Sequence, residues 1–258
     1  MILVAFGAHP DDVELAAGGT LANAARAGHE VVIVDLTRGE KGTAGTTAIR
    51  AREARAAARI LGVAARVTLG LPDTELARFD RRQVRAVVRA LRVYRPHLVL
   101  APTGRDPHPD HVETHHLVRR AAALAGFERV HPALGAPHRP RAILYYASSR
   151  ETLGEPDLLV DVTATIAHKM QALAAYRSQF VRAGSGPATP LNAPGFLARV
   201  EARAAAQGIV AGLAYAEGFL VDRPFVAGDP LAPFAAAGAP ATVPGRRRRA
   251  RPRAGGTT

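Results

Sequence analysis

Two short segments carry the side chains with the clearest potential for chemistry. Residues 7–14 read Gly-Ala-His-Pro-Asp-Asp-Val-Glu, and residues 108–111 read His-Pro-Asp-His. The chain has no cysteine, so histidine and carboxylate side chains are the available zinc ligands. Each segment follows a short apolar run, at residues 2–6 and 98–101. Because ligands bind at the carboxyl ends of strands in open α/β sheets, the two segments together predict one metal site of a hydrolase.

The first segment and His111 can supply a complete catalytic zinc site, which needs three protein ligands and one open position. His9 and Asp12 lie three residues apart across a predicted strand-to-helix turn, and His111 is the natural third ligand. Asp11 is then free to act as a general base on the attacking water. Zinc lowers the pKa of such a water toward about 7, so a carboxylate can take its proton near neutral pH.

His108 has a different predicted role. As an imidazolium it would stabilise a tetrahedral oxyanion and then protonate the leaving amine, with Asp110 orienting it and keeping its pKa high. Either segment alone is equally compatible with a helix cap or a turn. His111 and His115, four residues apart, form a rival metal-binding pair, but Val112 stands where a zincin motif requires glutamate.

Short apolar stretches alternate with Ala-rich helical ones, which predicts an α/β fold with a Rossmann-like, mostly parallel sheet and helices on both faces. Strands are predicted at 2–7, 30–36, 66–69, 97–102 and 142–147, with a weaker one at 158–161, and helices at 13–27, 47–62, 80–94 and 110–125. Two longer helices, 163–182 and 195–214, are predicted as a helical C-terminal extension.

The composition predicts one domain over residues 1–227 and a Pro/Gly/Arg-rich tail, 228–258, that is expected to be disordered. The net charge of +12 owes half its value to six arginines within residues 246–253. Such a tail could contact nucleic acid, but no aromatic residues alternate with the arginines to stack on bases. Nucleic acid is therefore not an expected partner.

The apolar stretches also bear on location. None approaches the roughly 20 residues that a membrane-spanning helix needs. The N-terminal residues enter a predicted strand at once, without the pattern of a signal peptide. We therefore expect a cytoplasmic protein with no membrane partner.

The two segments resemble the signature of the PIG-L/LmbE-like N-acetylglucosamine deacetylases. Residues 35–46 (Asp-Leu-Thr-Arg-Gly-Glu-Lys-Gly-Thr-Ala-Gly-Thr), 69–73 (Leu-Gly-Leu-Pro-Asp) and 215–219 (Tyr-Ala-Glu-Gly-Phe) are similar to the bacillithiol biosynthesis branch of that family. The likeness spans about residues 2–226. It implies the LmbE-like fold and the removal of the N-acetyl group from an N-acetylglucosaminyl conjugate, above all N-acetylglucosaminyl malate.

The resemblance also implies a set of site residues. One zinc ion per subunit, or another divalent metal such as iron, would be bound by His9, Asp12 and His111. Asp11 would be the general base, His108 would stabilise the oxyanion with Asp110 as its partner, and Arg50 would hold the substrate near the metal. The implied partners are a small acetylated amino sugar and further copies of the chain, commonly in a hexamer.

The sequence departs from the family pattern at two places. Pro107 precedes the second segment where relatives often carry arginine, and Ala206-Gln207 stand where relatives tend to have tyrosine. Both departures affect substrate contacts beyond the acetylated sugar. The Gly-rich residues 39–45 lack the ending of a P-loop, and we interpret them as a mobile loop that closes over the pocket.

Two other functions remain open at this point. An amidase of thiol conjugates could use the same metal centre, because the difference would lie in the pocket loops. A nucleotide-binding module could use a Rossmann-like sheet, but residues 7–14 lack the Gly-x-Gly-x-x-Gly fingerprint, and carboxylates there would repel a pyrophosphate.

Overall fold

A seven-stranded sheet in the order β3-β2-β1-β4-β5-β7-β6 forms the centre of the molecule. The structure is a computed structural model, and it describes residues 1–147, 154–182, 184 and 186–222. The strands are β1 (Ile2–Gly7), β2 (Glu30–Asp35), β3 (Ala65–Thr68), β4 (Leu98–Pro102), β5 (Ala142–Tyr146), β6 (Leu158–Asp161) and β7 (Ala216–Val221). Strands β1 to β5 pair in parallel, whereas β7 is antiparallel to both β5 and β6.

Helices cover both faces of this sheet, as the sequence predicts. They are α1 (Asp12–Arg26), α2 (Thr47–Ile60), α3 (Arg81–Tyr94), α4 (Pro109–Ala125), α5 (Ile166–Ala174), α6 (Arg177–Phe180) and α7 (Phe196–Ala211). Alternate residues of β1 point to opposite faces. Leu3 and Ala5 join a core with α1, α2, α5 and α7, while Val4 and Phe6 join a second core with α3 and α4. None of the helices in the described ranges is long and apolar enough to span a bilayer.

The predicted helix at 163–182 is in fact two short helices, and the strand β7 was not predicted. Strand β7 contains Glu217 and Gly218, residue types that are depleted in strands, so its sequence gives a weak signal. The C-terminal part therefore adds the weakly predicted strand β6, the unpredicted strand β7 and helix α7 to the sheet and one of its faces. The predicted tail, 228–258, lies outside the described residues.

Helix α1 is kinked and is held by a carboxylate from the far end of the sheet. Ala17 has non-helical angles (φ −133°, ψ 15°). The carboxylate of Glu217 accepts hydrogen bonds from the backbone N–H of Gly19 (3.0 Å) and of Thr20 (2.7 Å). It also accepts one from Lys169 Nζ, at 2.6 Å. The kink thus leaves the backbone N–H groups of Gly19 and Thr20 without partners inside the helix, and the buried carboxylate of Glu217 accepts their hydrogen bonds.

Candidate active site

The two predicted segments meet because β1 and β4 are neighbouring parallel strands. Helix α1 begins directly after β1, and α4 begins shortly after β4, so both helix N-termini lie at the same edge of the sheet. His108 is the N-cap of α4, where its Nδ1 accepts a hydrogen bond from the backbone N–H of Asp110 at 3.2 Å. Asp11 occupies the corresponding position before α1.

His9, Asp12 and His111 contact one another at this edge. Asp12 lies between the two imidazoles, with Oδ2 3.5 Å from His9 Nδ1 and Oδ1 3.1 Å from His111 Nε2. The ring centroids of His9 and His111 are 5.5 Å apart. Asp12 is fixed by a further hydrogen bond, which its Oδ2 accepts from the backbone N–H of His9 at 2.8 Å.

Three further carboxylates hold the outer nitrogens of these histidines. His9 Nε2 lies 3.0 Å from Asp73 Oδ1 and 3.3 Å from Asp110 Oδ2, and His111 Nδ1 lies 2.9 Å from Asp106 Oδ1. Sequence reasoning missed the roles of Asp73 and Asp106. Signals for both exist, because Asp73 follows β3 at the same sheet edge and Asp106 lies two residues before His108. Carboxylates in this position orient metal-binding histidines.

The electrostatics of the site reflect this concentration of carboxylates. Burial lowers the pKa of His9, but hydrogen bonds to Asp110, Asp12 and Asp73 outweigh it and raise the pKa well above its usual value. Burial likewise lowers the pKa of His111, yet Asp12 and Asp106 raise it to about 9. The carboxyl pKa of Asp12, which burial alone would raise, is held well below its usual range by His111. Negative charge therefore dominates the centre.

Two groups of side chains are close enough to hold a metal ion. The ligand atoms of His9, His108 and His111 lie within 4.8 Å of one another, and so do those of His9, Asp73 and Asp110. Together with the position of Asp12 between His9 and His111, these distances define one candidate centre with more donors than a single ion needs.

Asp11 has an unusual backbone conformation and a buried carboxyl group. Its φ is 116°, a region that non-glycine residues rarely adopt, and such strain is typical of functional sites. Burial raises the pKa of Asp11 to about 7, although Arg50 acts in the opposite direction. The guanidinium Nη2 of Arg50 donates to Asp11 Oδ2 at 2.9 Å. The carboxyl group is therefore poised to exchange a proton near neutral pH.

Arg50 lies on α2 and is buried. Its Nε and Nη2 donate to the backbone carbonyl of Pro10 at 3.0 and 2.8 Å. Only 7% of the residue is exposed, yet it lines the cavity into which the centre opens. Arg50 thus fixes the turn that carries Asp11.

His108 and Asp110 are arranged differently from the prediction. The carboxylate of Asp110 contacts His9 and accepts a hydrogen bond from the backbone N–H of Thr74 at 2.8 Å. Among the hydrogen bonds described, Asp110 contacts His108 through its backbone N–H and not through its carboxylate. The pKa of His108 is lowered, first by burial and then by His111 and His9. The hydrogen bond that Nδ1 accepts favours a neutral ring with its proton on Nε2. The role of His108 as an imidazolium stays a prediction.

The centre opens into a cavity of about 830 Å³. Its lining includes the clustered side chains of His9, Asp11, Asp12, Asp73, His108 and His111. Residues 41–44 of the Gly-rich loop also line it, and the backbone N–H of Lys41 donates to Asp73 Oδ2 at 2.8 Å. Residues 189–191 and residues of α7 complete the lining. The loop lies at the pocket as predicted, and its closure stays a prediction.

Comparison with known proteins identifies the class to which this site belongs. The family model described as GlcNAc-PI de-N-acetylase (PIG-L) matches residues 4–122, which contain both segments. A 1D-myo-inositol 2-acetamido-2-deoxy-alpha-D-glucopyranoside deacetylase from Nakamurella multipartita is 34% identical over 233 residues, covering 69% of this chain and 79% of the relative. A diacetylchitobiose deacetylase from Thermococcus kodakarensis is 32% identical over 186 residues, with 67% of each chain covered.

A solved structure agrees with these relatives. The conserved protein TT1542 from Thermus thermophilus has a TM-score of 0.78 and 36% identity, covering 87% of this chain and 96% of its own. The fold is thus the LmbE-like deacetylase fold. The chain belongs to the PIG-L family of deacetylases, and it is an enzyme that hydrolyses amides as an N-deacetylase.

Proposed function

We propose that this chain removes the N-acetyl group from an N-acetylglucosaminyl conjugate and releases acetate and a free amine. One observation carries the proposal. Residues 9–12 and 108–111 meet at one sheet edge around His9, Asp12 and His111, in a chain whose relatives are deacetylases of acetylated amino sugars.

The residues present fit a zinc ion. Imidazole nitrogen and carboxylate oxygen are the donors that zinc takes in a site without cysteine. The outer nitrogens of His9 and His111 are occupied by Asp73 and Asp106, so both rings are held with their other nitrogen toward Asp12. Buried carboxylates concentrate negative charge that a dication would balance. We propose that His9, Asp12 and His111 hold the ion, which would supply Lewis acidity toward the amide carbonyl and the attacking water.

In the proposed reaction Asp11 moves the proton. Its carboxylate, held by Arg50 and fixed by the strained turn, accepts a proton from the attacking water. The C–N bond of the tetrahedral adduct then breaks, and the same proton passes to the departing nitrogen. A pKa near 7 suits both transfers, because the group gains and loses a proton at similar cost.

His108 is proposed to stabilise the oxyanion as a neutral donor. Because Nδ1 accepts the backbone N–H of Asp110, the ring presents Nε2–H as its donor. A positioned donor of this kind stabilises the charge that develops on the carbonyl oxygen. Asp110 acts by orienting His9 and by capping His108, so we propose it as a positioning residue.

The finer substrate assignment comes from the resemblance of residues 35–46 to the bacillithiol branch, which favours N-acetylglucosaminyl malate. The two curated relatives are named for an inositol conjugate and for diacetylchitobiose. All three candidates share the acetylated glucosamine, and Arg50 lies where it can contact that sugar as well as Asp11.

A panel of substrates tests the function. Zinc-loaded protein is incubated with the malate conjugate, the inositol conjugate, diacetylchitobiose and an N-acetylcysteine S-conjugate, and acetate is measured. We expect acetate from at least one amino sugar. Asp11→Asn should lower kcat by about 10²- to 10⁴-fold while the zinc content stays unchanged, and Asp80→Asn, at the N-cap of α3, is the matched control.

The panel also separates the alternative functions. Turnover of the cysteine conjugate without turnover of any amino sugar would establish the thiol-conjugate amidase instead. An Asp11→Asn protein with normal kcat would show that the general base is another group.

A further inference from the structure

The lining of the active-site cavity contains two groups of residues that differ in chemistry. The first is the metal-binding cluster of histidine and aspartate side chains. The second is apolar and consists of Leu15, Pro190, Leu191, Phe196, Val200 and Ala206. We call this second region the apolar end. It is continuous with the candidate metal centre, so any molecule that reaches the centre can also contact it.

The wall of the apolar end is preformed. Phe196 begins α7 and stacks on Phe180, with ring centroids 5.7 Å apart and an interplanar angle of 11°. Leu15 and Val200 are buried, while Leu191 and Phe196 are partly exposed and pack against the core on their other side. A rigid apolar wall loses little entropy when a ligand binds.

Among the described residues, the charged side chains near these apolar residues are two arginines, Arg199 and Arg203. Arg203 donates through Nη2 to the backbone carbonyl of Leu15 at 2.8 Å. The guanidinium of Arg199 lies 5.9 Å from the ring centroid of Phe196 and donates to the carbonyl of Pro194 at 3.2 Å. Both are thus engaged with the protein. An apolar group that enters here gains free energy by leaving water for the carbon atoms of the wall.

The size of the cavity supports a ligand larger than an acetylated sugar ring. Pockets for whole drug-sized ligands range from about 300 to 1,000 Å³, and this cavity of about 830 Å³ lies in the upper half. The polar end takes the sugar and its amide, which leaves the apolar end for another part of the substrate.

We propose that the apolar end binds an uncharged apolar group of the substrate, a hydrocarbon or aryl group. The inference rests on the proposed deacetylase function and narrows its substrate class. It differs from the assignment to N-acetylglucosaminyl malate, whose carboxylates would instead have to pair with Arg199 and Arg203. The apolar group belongs either to the aglycone or to a longer N-acyl chain, and substrate series distinguish these two sources.

Two series on the zinc-loaded full chain test the proposal. The first varies the aglycone, using methyl, butyl, hexyl and phenyl glycosides of N-acetylglucosamine. The second keeps the methyl glycoside and lengthens the N-acyl group from acetyl to butanoyl and hexanoyl. We expect kcat/KM to rise in one series by about fourfold per methylene that is buried. The series that rises identifies the source, and a flat response in both overturns the proposal.

Variants of Leu191 and Phe196 test whether these side chains cause the preference for longer apolar groups. Leu191→Asn keeps the size of the side chain and makes it polar, and Phe196→Ala removes the stacked ring. Each should reduce the preference for hexyl over methyl by at least fivefold while acetate release from the methyl glycoside persists. Ile209→Ala truncates an exposed apolar side chain on the same helix and should leave the preference unchanged. An unchanged preference in both wall variants would overturn the assignment.

A binding measurement separates this inference from the proposed function. Calorimetry with methyl and hexyl glucosaminide, which carry no acetyl group, requires no hydrolysis. Tighter binding of the hexyl compound, weakened by Leu191→Asn, supports the apolar end even if no acetate is released in any assay. Equal affinities alongside normal deacetylation would reject the apolar end and leave the proposed function in place.

Discussion

Two residues, Asp12 and His108, lie close enough to His9 and His111 to be the third ligand of the metal ion. Asp12 contacts His9 and His111, and His108 stacks on His111 with ring centroids 4.7 Å apart. Asp12 is the better candidate, because its carboxyl group has its pKa held well below the usual range and is thus ionised, whereas Nδ1 of His108 already accepts a hydrogen bond.

This choice predicts the metal content of variants. Asp12→Asn should reduce bound zinc well below one ion per chain after dialysis, because a charged ligand is lost. His108→Gln should retain zinc and lose kcat. Metal analysis by mass spectrometry measures both, with His116→Gln on the same helix as control. The reverse pattern, with zinc lost in His108→Gln alone, would favour the His9, His108 and His111 set.

At the residue scale the sequence could predict that the two segments converge, because each follows a strand. Its signals for Asp73 and Asp106 indicate the right sheet edge but not which histidine each carboxylate holds, since the contact of Asp73 with His9 joins residues 64 positions apart. It also could not predict the charge of His108. That property depends on burial and on the neighbouring His111 and His9, which are features of the folded site.

At the scale of elements, the buried pair of Lys169 and Glu217 joins α5 and β7 to the kinked helix α1. Each of the two side chains is 2% exposed, and burial lowers the pKa of Lys169. Glu217 also accepts the hydroxyl of Thr20 at 2.6 Å. Removing one member of such a pair leaves a buried charge without its partner.

We therefore predict that Glu217→Ala lowers the free energy of unfolding by about 3–5 kcal/mol, measured by urea denaturation. The double variant Lys169→Met/Glu217→Gln should recover part of this loss, because it removes both charges while keeping a hydrogen-bond acceptor. Glu113→Ala, which breaks the more exposed pair with Arg78, should cost much less. Similar stability of Glu217→Ala and the wild type would contradict the role of the pair.

The elements themselves were predicted unevenly. The strands β1 to β6 and helices α1 to α4 follow from apolar periodicity and are confirmed. Strand β7 could not be predicted, because glutamate and glycine both have low strand propensity. The side chain of Glu217 accepts hydrogen bonds from helix α1, and Gly218 lies against Gln207 and Pro156. The break between α5 and α6 has no glycine or proline to mark it.

At the scale of the molecule, we propose that residues 1–227 form the complete deacetylase domain and that 228–258 are dispensable for catalysis. Removal of 228–258 should leave kcat/KM within about twofold and the unfolding midpoint unchanged, because every residue of the candidate site precedes 228. Retention of the protein on a heparin column should decrease, because the truncation removes the six arginines of residues 246–253. Loss of activity in the shortened chain would show that the domain extends further.

The remaining expectations about the whole molecule stay predictions. A homo-oligomer, hexameric by resemblance, is testable by light scattering on the purified chain. The cytoplasmic location is likewise an expectation from the sequence.

The contact between Glu217 and the first helix also constrains the order in which the protein can mature on the ribosome. A nascent chain of 150 residues already contains both segments of the candidate site. The carboxylate that accepts the amide hydrogen bonds of Gly19 and Thr20, however, is almost 200 residues away from them along the chain. Contacts of such long sequence separation form late, because closing a large loop costs entropy before any contact repays it. The helix that follows the first strand thus reaches its final state only after the last described strand has been translated.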